Sequence, residues 1–210
     1  VALSALDGVP MTLKDNIATA GDPMPLGTAA TDLSPMAADA PPAARLREAG
    51  AVLVAKTTMP DYGMLSSGLS SFHALARNPW DLSKTPGGSS AGAGSAAAAG
   101  YGPLHLGTDI GGSIRLPAGW CGVFGLKPSL GRVPIDPPYT GRAAGPMTRT
   151  VADAAAMMQV LSLPDARDTM SLPYQTIDWA SFDAGVRKLK GLRIGLLLDA
   201  GCGLPAEPEV

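Results

Sequence analysis

The sequence is poor in the residues that many enzyme and binding classes depend on. Its 210 residues include two histidines, His73 and His105, and two cysteines, Cys121 and Cys202. The cysteines lie far apart in apolar or glycine-rich surroundings with no metal-ligand spacing around them, so free, buried thiols and no metal are expected. Lys plus Arg (16) nearly balances Asp plus Glu (18), the net charge is −2, and there is no basic block. That balance argues against direct binding of nucleic acid, though not against docking onto one through a partner protein. No apolar run approaches the ~18 residues of a membrane-crossing helix, and no signal peptide is seen. A cytoplasmic protein without membrane contact is therefore expected. The hydrophobic content of 46% argues against disorder, and the length suffices for one sizeable core.

What the chain does have is concentrated between Thr85 and Trp120. Two glycine-flanked serine clusters, Gly87-Gly88-Ser89-Ser90 and Gly111-Gly112-Ser113, bracket an alanine-rich stretch that reads as a helix from Ser90 to Ala99. Paired glycines let the backbone adopt unusual angles or approach a ligand closely. Neighbouring hydroxyls and bare N–H groups are the raw material for a nucleophile and an oxyanion hole. Leu104-His-Leu-Gly107 reads as a buried strand leading into the second cluster. There the N–H groups of Ile110, Gly111, Gly112 and Ser113 could converge on one concavity.

The first cluster matches the G-x-S-x-G nucleophile elbow over Gly88–Gly92, with Ser90 at the nucleophile position. That motif needs an acid and then a histidine downstream. His105 alone follows Ser90, inside an apolar run, and no acid lies between them. Within these residues the histidine-based hydrolase reading fails, and lysine is the natural substitute as base. Lys14 ends the strand-like run from Leu6, where it either snorkels from an edge or is buried with a lowered pKa. Lys127, before Pro128, is a weaker candidate because it lacks that context.

Taken in order, the blocks GVPMTLKDN, NPWDLSKTPGGSSAG, GTDIGGSIRLPAGWCGVFGLKPSLGRVP and GPMTRTVADAA resemble the amidase signature family of Ser–cis-Ser–Lys amide hydrolases. The spacings agree with it too: 89 − 14 = 75 positions from Lys14 to Ser89, and 113 − 89 = 24 from there to Ser113. The resemblance runs from about Gly8 to Leu198, nearly the whole chain. It implies Ser113 as nucleophile, Ser89 as bridging serine after a cis Gly88–Ser89 peptide, and Lys14 as base. Ile110, Gly111 and Gly112 would form the oxyanion hole. Ser90, Asp109 and Arg115 would support the loop rather than move protons. One departure is visible: Ala91 stands where the family usually has Gly.

Elsewhere, positions 39–50 suit a helix with Pro at its start and Gly50 just past its end. Ala51–Ala55 follows as a buried strand. The alternation predicts an α/β fold, a mixed and mostly parallel twisted sheet flanked by helices. Positions 60–76 form a Ser/Gly-rich loop in which Met64 is a weak candidate for substrate contact. Trp80 is expected as a packed anchor. Gly122–Gly131 mixes strand and turn signals. Thr150 and Asp153 form a capping pattern for a helix to Leu161, and 162–185 reads as a surface excursion. Gly191–Leu198 suggests a buried strand, and Pro205–Val210 the first turn of a helix. Residues 1–210 are accordingly expected to be the N-terminal and central part of a single amidase domain, the remainder lying outside.

The expected activity is hydrolysis of a small-molecule carboxamide through a serine acyl-enzyme, with no cofactor. A homo-oligomer is compatible with everything above. Two alternatives stay open. One is the glutamine-hydrolysing component of a tRNA-dependent amidotransferase, its A subunit, against which the proline-rich segment Gly131–Tyr139 weighs. The other is a catalytically dead scaffold, against which the intact triad weighs.

Overall fold

β1 (Pro10–Lys14) is the second strand of a five-stranded sheet ordered β2-β1-β3-β5-β4. Its partners are β2 (Val52–Thr57), β3 (Leu104–Asp109), β4 (Phe124–Gly125) and β5 (Ala143–Thr148). β1 runs parallel to both β2 and β3, whereas β5 is antiparallel to β3 and to β4. Four of the five strands therefore point the same way, and β5 alone is reversed. The computed structural model describes residues 2–181, 189, 191–193 and 195. The chain divides into two compact units, Val1–Ala180 and Ser181–Val210, and the elements named here belong to the first. The strand and helix expected over 191–198 and 205–210, and Cys202, fall largely or wholly outside the described residues.

Side-chain alternation decides what each face of the sheet does. In β1, Met11 and Leu13 join Leu104 and Leu106 of β3 in the main core, with Leu46, Met157, Met158 and Leu161 from two helices. Each such leucine contributes about 1.5–3 kcal/mol by leaving water. The helices are α1 (Pro41–Glu48) and α4 (Val151–Leu161). Thr12 and Lys14 alternate to the other face, where Thr12 Oγ1 meets His105 Nδ1 at 2.8 Å. A smaller cluster, Ala93, Ile114, Ala118 and Met147, fills the layer under α2 (Ala91–Ala99) and α3 (Arg115–Cys121).

Helix ends follow the sequence closely. α1 starts on prolines, and Gly50 at φ 88° stands just past its C-cap Ala49, the left-handed stop that glycine supplies. The Thr150 hydroxyl accepts the Asp153 N–H at 3.1 Å and caps α4. Two expectations need correction. β2 is not buried: Val52 and Val54 are about half exposed, because among the described residues β2 is an edge strand with a neighbour on one side. Trp80 is not packed: it is 74% exposed and held by Nε1–H donation to the Cys121 carbonyl at 2.7 Å. β5, a stretch to which sequence reasoning assigned no element, runs through Gly145-Pro146.

Candidate active site

β1 and β3 are parallel, so their C-terminal ends lie side by side, and the chain leaving each one builds the site. Open α/β sheets place ligand sites outside the carboxyl ends of their strands. Lys14 is the last residue of β1 and is fully buried. Its Nζ donates to Ser89 Oγ at 2.8 Å and to Thr108 Oγ1 at 3.1 Å. Burial pushes its pKa down from 10.5 to about 7; the positive charge of Arg142 adds to the drop, and Asp109 and Asp15 act against it. A substantial fraction of this amine is therefore uncharged at neutral pH, which lets it accept a proton. A second desolvated lysine, Lys56, has a pKa lowered to about 8. It donates to the Ile17 carbonyl instead of to a serine. Lys127 is half-buried and donates to the Pro128 carbonyl at 2.8 Å, away from both serine clusters.

The first serine cluster enters α2 through a cis Gly88–Ser89 peptide. Ser90 does structural work. It is fully buried, its Oγ donates to the Thr108 carbonyl at 3.1 Å, and it accepts the Thr108 N–H at 3.2 Å. Its own N–H donates to the Ser113 carbonyl at 3.1 Å, which ties the two clusters together. This approach requires Gly107, where an added Cβ would lie 2.8 Å from Ser90 Oγ. Ala91 is fully buried at the start of α2 and fits without disturbing the helix.

Asp109 organises the loop of the second cluster. Its carboxylate accepts the N–H groups of Gly112 (2.8 Å), Ile114 (3.0 Å) and Arg115 (3.3 Å). The Arg115 guanidinium adds contacts of 3.1 and 2.9 Å. Burial opposes ionisation of this carboxyl, but the hydrogen bonds from Arg115, Ile114 and Gly112 outweigh it and hold the pKa at about 2. One consequence corrects the expected oxyanion hole: the Gly112 N–H is taken by Asp109, and Gly112 does not line the cavity. The N–H groups of Ile110, Gly111 and Ser113 find no hydrogen-bond partner among the described residues.

Ser89, Ser113, Ile110 and Gly111 line one cavity of about 400 Å³. Ser89 and Ser113 share this space, and no hydrogen bond joins their hydroxyls. Met64 stands exposed at its rim, with Tyr62 beside it. Among the wall residues that escaped sequence reasoning are Asn16, Thr108, Tyr139 and Arg142. Asn16 Nδ2 donates to Thr108 Oγ1 at 3.0 Å, so Thr108 links Asn16 to Lys14. Strand parity could have found Asn16, two positions beyond Lys14, but nothing in the sequence singles out Arg142. The histidines lie elsewhere. His105 is spent on Thr12 and on the Gly102 carbonyl at 3.1 Å, and His73 on Asp15 at 2.9 Å. A second cavity of about 490 Å³, beside β2, contains Asp15, Lys56 and His73 but neither serine cluster. Cys121 is buried, and burial pushes its thiol up to about 11. Among the described residues no cluster of His, Cys, Asp or Glu could hold a metal, and no helix is long and apolar enough to cross a membrane.

The family model described as Amidase matches residues 2–210. The chain belongs to the amidase family. It is 42% identical over 212 residues to the A subunit of the glutamyl-tRNA(Gln) amidotransferase of Chromohalobacter salexigens, covering 98% of this chain and 43% of that protein. Among solved structures, the native peptide amidase of Stenotrophomonas maltophilia is 36% identical with a TM-score of 0.79, covering 85% of this chain and 39% of that one. The A subunit of the Thermotoga maritima glutamyl-tRNA(Gln) amidotransferase is also 36% identical, with a TM-score of 0.73 over 80% and 39% of the two chains. The amidase chain thus spans about two fifths of the length of the curated relatives it matches. The mixed, mostly parallel sheet with flanking helices is the architecture it shares with these amidases.

Proposed function

We propose that this chain carries the catalytic core of an amide hydrolase that works through a serine acyl-enzyme. Ser113 is the nucleophile, Ser89 the relay and Lys14 the base. The observation that carries the reading is a fully buried lysine, its pKa lowered to about 7, donating to Ser89 Oγ at 2.8 Å. Ser113 lines the same cavity. In the first step neutral Lys14 takes the Ser89 hydroxyl proton while Ser89 takes that of Ser113. Ser113 Oγ then forms a bond to the carbonyl carbon, and the carbonyl π pair moves onto oxygen. A hydroxyl suits the middle position because it both donates and accepts. The two hydroxyls close the remaining gap when substrate binds, since catalytic hydrogen bonds often tighten only in the Michaelis complex.

The N–H groups of Ile110, Gly111 and Ser113 receive the oxyanion. Each such donor is worth about 3 kcal/mol of transition-state stabilisation. Collapse of the tetrahedral species breaks the C–N bond, and the proton held on Lys14 returns through Ser89 to the leaving amine. Water then attacks the acyl ester by the same route and frees the acid. Asp109 and Arg115 keep the loop in shape and transfer no proton. No cofactor enters these steps, and the substrate is a small-molecule amide.

The test is direct. Ser113→Ala should lower kcat by about three orders of magnitude or more while the fold is retained, as removal of a triad nucleophile does. Turnover of a carboxamide at near wild-type rate by that variant would end the reading.

A second reading has a specific observation in its favour: the 42% identity to the A subunit of a glutamyl-tRNA(Gln) amidotransferase. Under it the same residues hydrolyse glutamine and pass ammonia to partner proteins in the cytoplasm. Glutaminase activity that appears only when companion proteins co-purify would select this reading. Activity on simple amides by the protein alone would select the first.

A further inference from the structure

Among the described residues the cavity wall contains one formally charged side chain, Arg142. Arg45, Arg47, Arg115 and Arg167 each hold a carboxylate within ion-pair distance. Arg142 has no such partner among the described residues, and neither do Arg77, Arg132, Arg149 and Arg193, but of these Arg142 alone lines the cavity, where it is half-buried. Its guanidinium instead lies over the Tyr139 ring, 4.8 Å from the centroid. Tyr139 lines the same cavity, and the Arg142 backbone N–H donates to the Tyr139 carbonyl at 3.0 Å, so backbone and ring hold the residue from two sides.

A partly desolvated cation without a counter-ion is costly, and an anion arriving with its own lone pairs offsets that cost. Guanidinium presents a planar fork of donors that matches a carboxylate in two parallel hydrogen bonds. Stacking on an aromatic ring leaves that fork free, because the ring contacts the face of the group and the donors point outward in its plane. The remaining wall offers Asn16 and serine hydroxyls, which fit the amide end of a substrate.

We propose that Arg142 is a substrate-binding residue that receives a carboxylate, so that the preferred substrates are amides carrying a carboxylate on the acyl side. The proposal rests on the amidase reading of this cavity and names its substrate class. With about 400 Å³ available, the amide and the carboxylate belong to one small molecule.

The probes are succinamate and 4-oxopentanamide, in which a methyl ketone replaces the carboxylate. In the full chain, kcat/KM should favour succinamate by about 10- to 100-fold, mostly through KM, the range expected for a charge-assisted hydrogen bond. Arg142→Met should bring the ratio of the two substrates close to one, and Arg142→Lys should restore part of it. Succinamate binding to Ser113→Ala protein, followed by calorimetry, should weaken by a similar factor when Arg142→Met is added. Hydrolysis of both amides with a ratio that Arg142→Met leaves unchanged would overturn the inference and leave the amidase reading standing. Arg142-dependent binding of succinamate without hydrolysis of either amide would do the reverse. It would keep the carboxylate site and end the amidase reading.

Discussion

Replacing Lys14 with methionine should cost the enzyme its base without costing the fold stability at neutral pH. Methionine keeps most of the volume of the lysine stem and removes the ammonium. The amine titrates near 7 when folded and near 10.5 when unfolded. Burial, helped by Arg142, causes this drop against the pull of Asp109 and Asp15. Between those two values the unfolded chain binds the extra proton, so stability rises with pH. The full penalty is carried below about pH 7. At about 1.4 kcal/mol per pKa unit, it amounts to about 5 kcal/mol over the interval. Against it stand the hydrogen bonds to Ser89 and Thr108, whose loss costs about 1–3 kcal/mol each when buried hydroxyls are left unpaired.

The net expectation is a Lys14→Met protein about as stable as wild type, or more so, at pH 7. Wild type should then gain about 3 kcal/mol on the variant between pH 7 and pH 9.5. Urea unfolding of both proteins at the two pH values measures this directly. A difference that stays constant across that range would refute the claim that Lys14 is buried with a depressed pKa. Activity supplies a second readout: kcat/KM of the wild type should rise through about pH 7 as Lys14 loses its proton, and the variant should be inactive at every pH.

Asp109→Asn should slow turnover markedly, because an NH2 donor replaces one of the two oxygens that hold the Gly112, Ile114 and Arg115 N–H groups and the Arg115 guanidinium loses its charged partner, so the loop loosens. The Asp109 carboxyl is held at about 2, so wild type should lose stability on acidification from about pH 4 towards pH 2. In the Asn variant that acid limb should be shallower, as read by thermal unfolding. Thr150→Val serves as a remote control: losing the α4 cap should cost about 1 kcal/mol of stability and leave the steady-state rate unchanged.

Much of the site was legible because its residues carry constraints that are local in sequence. Lys14 ends an apolar run and glycines flank both serine clusters, which made these residues stand out, and the family resemblance implied that Lys14 meets Ser89 with Ser113 close by. The caps of α1 and α4 were readable for the same reason. What escaped depends on neighbours distant in sequence. β5 contains Pro146 and lies between two strands, where proline is normally excluded. Sequence reasoning assigned no strand to Gly145-Pro146-Met147, and pairing with β3 and β4 makes it one. β2 has the composition of a buried strand, and its exposure depends on its place at the edge of the sheet. The Gly112 N–H looked available until the Asp109 side chain turned back onto it, three residues on. Arg142 is brought to the cavity by the end of the long connection from β4 to β5, beyond the block that closes at Pro134 and outside every motif.

The account stands or falls on which serine becomes acylated. Treating the full chain with a serine-reactive phosphonate and mapping the adduct by mass spectrometry is the most direct measurement. The expected result is a single adduct on Ser113, formed faster as pH rises through about 7 and lost in the Lys14→Met protein. An adduct on Ser89 or Ser90, or labelling of Ser113 at an unchanged rate without Lys14, would contradict it.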